Sequence, residues 1–393
     1  MIYLIPLILI LVGVFFCDFL KKKKYSRILI FVIFTCLALI SGFSYRLGSD
    51  VIHYMHEYTY YDNNLQSAFN LSYLTSFNGR MPGWVFITTV LKSFRADFVV
   101  FKLFHAIVIN FIIVFFLKKY ATNIFTALLF YFFSSYITFN FEVLRESLAV
   151  SVFLLSVPML LRKKFISYYI YVFVAILFHE SALIVAFIPL FFLISLTKRN
   201  AIAIIIIFSV LLFAKTSVSV AIMDTTSSVF FLRGKAQLYF ENERYSSQAE
   251  IGFVGFLIFL FKIIFVLYSI YVVNKYKLSR NKYMMNVLLF SVCIVYLSYF
   301  IQIFYRSSNY IVFIYICFVT STLPLLFNLY LQRPLSSILY RLILVFFLSL
   351  RIYNLFIPIY GTNYPSYIRY YPYYSVFDKQ VDNLREQYYM LNL

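Results

Sequence analysis

Apolar residues run along this chain in long blocks, separated by short polar or basic groups. A membrane-spanning helix needs about 20 predominantly apolar residues. Blocks of that kind stand at 1–20, 27–43, 98–117, 121–139, 147–161, 166–179, 181–197, 200–214, 251–273, 284–304, 309–328 and 336–357. The pattern predicts an all-α polytopic membrane protein, one transmembrane domain over 1–393 with about 12 helices. The stretch 81–94, MPGWVFITTVLKSF, is apolar but short, and counting it as a span would invert everything after it. It reads as a re-entrant or interfacial helix with Pro82 in its first turn. The first block lacks a basic leader and a small-residue cleavage site, so it is expected to be a retained helix.

The basic groups orient the array. KKKK (21–24), KK (118–119), RKK (162–164), KR (198–199) and NKYKLSRNK (274–282) fall between blocks, as do Arg333 and Arg341. Lys and Arg accumulate in cytoplasmic loops. Placing these groups inside makes the helices alternate and puts both termini on the extracytoplasmic side. Every acidic residue except Asp18 then falls outside. The expected outer elements are a loop at 44–97, a loop at 215–250 and a Tyr-rich tail at 358–393. For the tail, an interfacial anchor competes with a substrate contact.

Composition agrees with this reading. The chain is 63% hydrophobic and 22% aromatic, and only 12% of it is charged. A soluble domain carries about 25% charged residues, so this chain cannot cover a water-facing surface. The net charge of +19 would suit nucleic acid, but its placement at block ends is the loop pattern and excludes that partner. Cys17, Cys36, Cys293 and Cys317 lie inside apolar blocks without a CxxC pair and read as small hydrophobes.

Candidate chemistry gathers on the outer side. SYRLGSDVIHYMHEY (44–58) holds Arg46 and Asp50 four apart, which suits an ion pair on one helical face as well as a site. His53 and His56 beside carboxylates imitate a metal site, but no cysteine or further His joins them, and no metal is expected. FNFEVLRESLAVSVFLL (139–155) holds Glu142, Arg145 and Glu146 at a helix end. A cation there faces a partner or a water-filled cavity. ILFHESALIVAF (176–187) contributes His179 and Glu180, and His is the commonest proton-transfer residue. LYFENERYSSQ (238–248) contributes Arg244 and Tyr245, and IFYRSSNYIVF (303–313) contributes Arg306 and Tyr310. Each arginine alone is a snorkelling side chain. Together, Arg46, Arg145, Arg244 and Arg306 are four guanidinium groups at similar depth, suited to a lipid diphosphate.

These segments resemble the EpsG family of Wzy-type polysaccharide polymerases. The matching pieces are YRLGSDVIHY (45–54), FEVLRESLAVSVFLLSV (141–157), LFHESALIVAFIPL (177–190), KAQLYFENERYSSQ in the second outer loop, and RSSNYIVFIYICFVTSTLP (306–324). Gly48-Ser49-Asp50 stands where many relatives have Gly-Thr-Asp. The resemblance implies a GT-C-like glycosyltransferase in the bacterial cytoplasmic (inner) membrane. It would join polyprenyl-diphosphate-linked oligosaccharide repeat units into O-antigen, capsule or exopolysaccharide, without cofactor or metal. A separate chain-length regulator protein is an implied partner. Arg46, Arg145, Arg244 and Arg306 would bind the diphosphate, with Tyr245 and Tyr310 beside the sugars. His179 ranks first as base, before Asp50 and Glu142. The rival readings are an O-antigen ligase-like transferase, a membrane O-acyltransferase, and a lipid-linked oligosaccharide flippase or transporter. A transporter is expected to carry charge along its helix interiors. Here the interiors read as nearly free of it, with Lys262 the main exception.

Overall fold

The structure, a computed structural model, describes residues 2–22, 24–77, 79–194, 197–213, 263, 266–267, 270, 279–300, 302–330, 349, 352–353, 356–357 and 364–390. Among these the chain is helical. An isolated antiparallel bridge pairs Ser44 with Ser375. The chain divides into two compact units. The first holds Met1–Leu155, Phe173–Glu180 and Val319–Leu393, and the second holds Ser156–Val172 and Ser181–Phe318.

In the first unit, α1 (Leu4–Phe19) packs on α2 (Ser26–Gly42), which lies along α7 (Phe98–Tyr120). Between α2 and α7 come α3 (Ser49–Tyr60), the short α4 (Leu65–Ala68) and α5 (Leu71–Leu74), and α6 (Pro82–Ser93). Then follow α8 (Ile124–Phe141) and α9 (Leu144–Leu161), which belongs to this unit as far as Leu155. Helices α7, α8 and α9 are the three described helices both long and apolar enough to cross a membrane, and several shorter apolar helices accompany them. Gly13 lets α1 approach α8 closely, since a Cβ there would enter the Phe125 ring; small residues give membrane helices this contact.

Polar groups inside these helices are paired, as a low-dielectric interior demands. Asn110 Nδ2 donates to Asn140 Oδ1 at 2.8 Å, and the Tyr131 hydroxyl donates to Asn110 Oδ1 at 2.7 Å. Asp18 caps the start of α8 from a different helix. It accepts from the Thr126 N–H at 2.7 Å and the Thr126 hydroxyl at 2.9 Å. A carboxylate at this position satisfies orphan donors and complements the helix dipole.

In the second unit, α10 (Phe165–Ile176) contributes its residues as far as Val172, and α11 (Lys198–Phe213) packs on α12 (Ser279–Phe300). A 3-10 segment, Gln302–Tyr310, leads into α13 (Val312–Tyr330), which belongs to this unit as far as Phe318. The block at 181–197, expected as a continuous span, departs from that form: Glu180–Phe187 is a 3-10 helix, followed by a single turn at Leu190–Leu193. Pro189 stands between the two, and proline removes a backbone donor and blocks a continuing α-helix. The Tyr168 hydroxyl donates to the Val185 carbonyl at 2.5 Å. The expected spans at 251–273 and 336–357, with Lys262, lie almost wholly outside the described residues.

Candidate functional site

Three pieces of the first unit meet around Glu142: the turn after α2, the joint between α8 and α9, and the tail. The turn is tight. Gly48 has φ +89°, and a Cβ there would fall inside the Phe141 carbonyl oxygen, so only glycine lets the turn lie on the joint. Arg46 also takes a left-handed conformation, at φ +50°, which costs a non-glycine residue about 1 kcal/mol. Glu142 receives four donors. Its Oε2 accepts from the Ser49 hydroxyl at 2.9 Å and the Asp50 N–H at 3.3 Å. Its Oε1 accepts from the Tyr370 hydroxyl at 2.7 Å and Arg369 Nη1 at 3.2 Å.

The tail completes this joint. Tyr45 N–H donates to the Tyr374 carbonyl, Val376 N–H to the Phe43 carbonyl and Gly48 N–H to the Arg369 carbonyl. The terminal helix α14 (Asn383–Met390) sends Glu386 onto Arg46, whose Nε lies 2.9 Å from Oε1 and Nη2 2.5 Å from Oε2. That bond holds the guanidinium above its ordinary pKa. Arg385, buried, ties the tail to itself through the Ile368 and Pro372 carbonyls.

A second cluster in the same unit surrounds Arg145. Its Nε donates to the Tyr54 hydroxyl at 3.3 Å and its Nη1 to the Gly79 carbonyl at 3.1 Å, with the guanidinium 5.8 Å from the Tyr54 ring centre. Burial pushes the Tyr54 phenol up, while Arg145 pulls it down. Tyr54 is fixed from below by Trp84, which is itself buried against Phe101. Helix α6 is held in place because the Gly83 N–H donates to the Leu177 carbonyl at 2.7 Å, two residues before His179. Arg80 Nε meets Glu57 Oε1 at 2.6 Å, and the Tyr61 hydroxyl donates to the same oxygen at 2.8 Å. The carboxylates of Glu180 and Glu57 both act on Arg145 electrostatically.

A family model matches residues 27–375 of the chain, nearly its whole length. The chain belongs to the EpsG family. This family consists of Wzy-type polymerase-like proteins. No curated protein and no solved structure matches the chain.

The EpsG-family resemblance drew on separate segments, and the structure joins some of them. Asp50 stands in the first turn of α3 and gives its N–H to Glu142. Arg145 opens α9 and meets α3 through Tyr54. His179 is buried in the first unit, beside the Glu180 that acts on Arg145. In the second unit the Tyr310 hydroxyl lies 2.9 Å from Ser181 Oγ, linking the HES and late Arg…Tyr segments. Arg306 is half-buried in the 3-10 segment of that unit. Arg244 and Tyr245 lie outside the described residues. His56 Nε2 contacts the Tyr60 hydroxyl at 3.2 Å.

Other residues of the EpsG-family chain escaped the sequence reading. Lys102 and His105 stand inside the α7 block, although the helix interiors read as nearly free of charge with Lys262 as the main exception. Lys102 is buried and reaches the Ser44 carbonyl at 3.1 Å and hydroxyl at 2.5 Å. His105 Nε2 lies 2.9 Å from the Leu144 carbonyl, at the start of α9. A cation within an apolar block is expensive and marks a partner; that rule, applied to Lys102, would have found it. Arg80, Arg369 and Glu386 had no comparable mark.

Proposed function

We propose that this chain is a polymerase that joins polyprenyl-diphosphate-linked oligosaccharide repeat units on the outer side of the bacterial cytoplasmic membrane. The family match over residues 27–375 is the observation that carries this reading. The product would be a longer lipid-linked glycan, and the leaving group a lipid diphosphate.

Breaking the donor's glycosidic bond adds negative charge to the diphosphate. Guanidinium groups already in place stabilise that charge in the transition state. Arg145 suits the task. It sits half-buried at the mouth of an apolar helix, and two of its five N–H groups are bonded among the described residues. Arg306 and Arg244 are the further arginines of this reading. Arg46, taken by Glu386, would act only after that pair opened.

The acceptor hydroxyl must lose a proton as the new bond forms. Glu142 already accepts four donors, so in this reading it is a joint of the fold and the proton goes to His179, with Asp50 as second choice. Tyr310 and Tyr245 would lie along the glycan.

The test is a gel of lipid-linked glycan from cells lacking the gene, then carrying the wild type, Arg145→Ala or His179→Ala at equal membrane levels. Collapse of a ladder to single repeat units, restored by the wild type alone, is the expected result. A ladder that persists on the carrier lipid but fails to reach its final acceptor would instead mean a ligase. An unchanged ladder would overturn both.

A further inference from the structure

Arg80 was no part of the sequence-derived set, yet its surroundings match those of Arg145. The Gly79 carbonyl that accepts from Arg145 belongs to the residue before Arg80. Consecutive Cα atoms are about 3.8 Å apart, so this bond brings the Arg80 backbone to the Arg145 guanidinium. Both arginines act electrostatically on the Tyr54 phenol. Both are partly accessible, and the Arg80 side chain is 25% exposed.

Glu57 explains how Arg80 is held. It takes the Arg80 Nε at 2.6 Å. A guanidinium anchored through Nε keeps its two Nη groups for an incoming anion. Among the described residues neither Nη group of Arg80 has a partner. The same carboxylate is itself fixed by Tyr61, and its Oε2 is buried without a hydrogen bond. Glu57 therefore orients Arg80 without saturating it.

We propose that Arg80 and Arg145 form a two-guanidinium clamp for a diphosphate, one guanidinium for each phosphoryl group, with Glu57 as the positioning residue for Arg80. This rests on the lipid-diphosphate reading above and deepens it. It replaces Arg46, whose fork is filled by Glu386, with Arg80 as the partner of Arg145. Two adjacent guanidinium groups favour a diphosphate over a monophosphate, because the second group of a monophosphate lipid is missing and Arg80 then gains little.

The experiment titrates the full-length protein in lipid nanodiscs with farnesyl diphosphate and, separately, farnesyl monophosphate. The wild type should prefer the diphosphate. Arg80→Ala should weaken diphosphate binding on the order of tenfold or more while changing monophosphate binding far less, and Arg80→Lys should recover only part of the loss. The double variant Arg80→Ala/Glu57→Gln removes the stranded carboxylate and should stay weak. Unchanged diphosphate binding in Arg80→Ala would overturn the clamp, as would equal loss for both ligands or full recovery in the double variant. A wild type that binds no prenyl diphosphate would overturn the lipid-diphosphate reading itself.

Discussion

Arg46 and Glu386 stand 340 residues apart in the chain and form a two-pronged ion pair, Nε to Oε1 at 2.9 Å and Nη2 to Oε2 at 2.5 Å. Both side chains are about a quarter exposed, at 24% and 26%. The pair spans the strained turn after α2 and the last described helix. It is thus a fastening for the tail, and the left-handed Arg46 is held by it from outside.

Exposure limits what this pair contributes. Half-screened ion pairs are worth about 1 kcal/mol, so Glu386→Ala should lower the unfolding temperature of the detergent-solubilised protein by a few degrees. The exchange Arg46→Glu with Glu386→Arg should regain part of that loss. A calorimetric scan of the single and exchanged variants measures both. Equal losses in the single and exchanged variants would show that the pair is not the fastening.

Glu142 should matter more. It is 7% exposed and holds the turn, α3 and the tail at once. Removing one partner of a buried charged pair costs roughly 3 kcal/mol. Glu142→Gln is expected to approach that cost, because the amide nitrogen would face donors. Tyr370→Phe removes one of the four donors and should cost about 1 kcal/mol. The two changes share one bond, so together they should cost less than their sum. Unfolding of the single and double variants tests this, and strict additivity would count against the joint.

How far this was legible beforehand depends on the distance over which each feature is encoded. Apolar block length marked α1, α2, α7, α8 and α9 within a few residues, because helix length in a bilayer is a local property. Pro82 marked the start of α6 in the same local way. The break at Pro189 was also written in the sequence, but hydropathy alone outvoted it. The Glu142 joint was not legible. Its partners Arg369 and Tyr370 come from a Tyr-rich tail whose composition suits an interfacial anchor equally well, and nothing in the spacing says which carboxylate they meet. The Arg145 cluster was half legible. A cation at a helix mouth advertises itself, while Tyr54, Gly79 and Arg80 are ordinary loop and helix residues until the chain folds.

Lys102 offers a separate test of the helix mouth. Its ammonium serves the carbonyl and hydroxyl of Ser44, where α2 ends and the turn begins. Lys102→Met keeps the apolar stem and deletes the donor, leaving a buried carbonyl unpaired at a cost of about 1–3 kcal/mol. Ser44→Ala keeps the carbonyl bond and should cost less. Hydrogen exchange of the 43–48 amides should speed up in Lys102→Met. Unchanged exchange there would show that Lys102 does not secure the turn.

Arg145 and His179 are assigned different work, so their variants should fail differently. Losing a preorganised donor to developing charge lowers turnover about 10²–10³-fold. Arg145→Ala should therefore lower turnover across the whole pH range in a polymerisation assay with purified lipid-linked repeat unit. Arg145→Lys should recover part of the rate, since it keeps the charge without the fork. A general base must be unprotonated to accept a proton, so a His-dependent rate falls as pH drops through the pKa of the base. His179→Gln should lose that acid limb and run at a low, flat rate, while Arg145→Lys keeps the limb. An acid limb that survives in His179→Gln would move the base role to Asp50, and Asp50→Asn would then be the variant that flattens the profile.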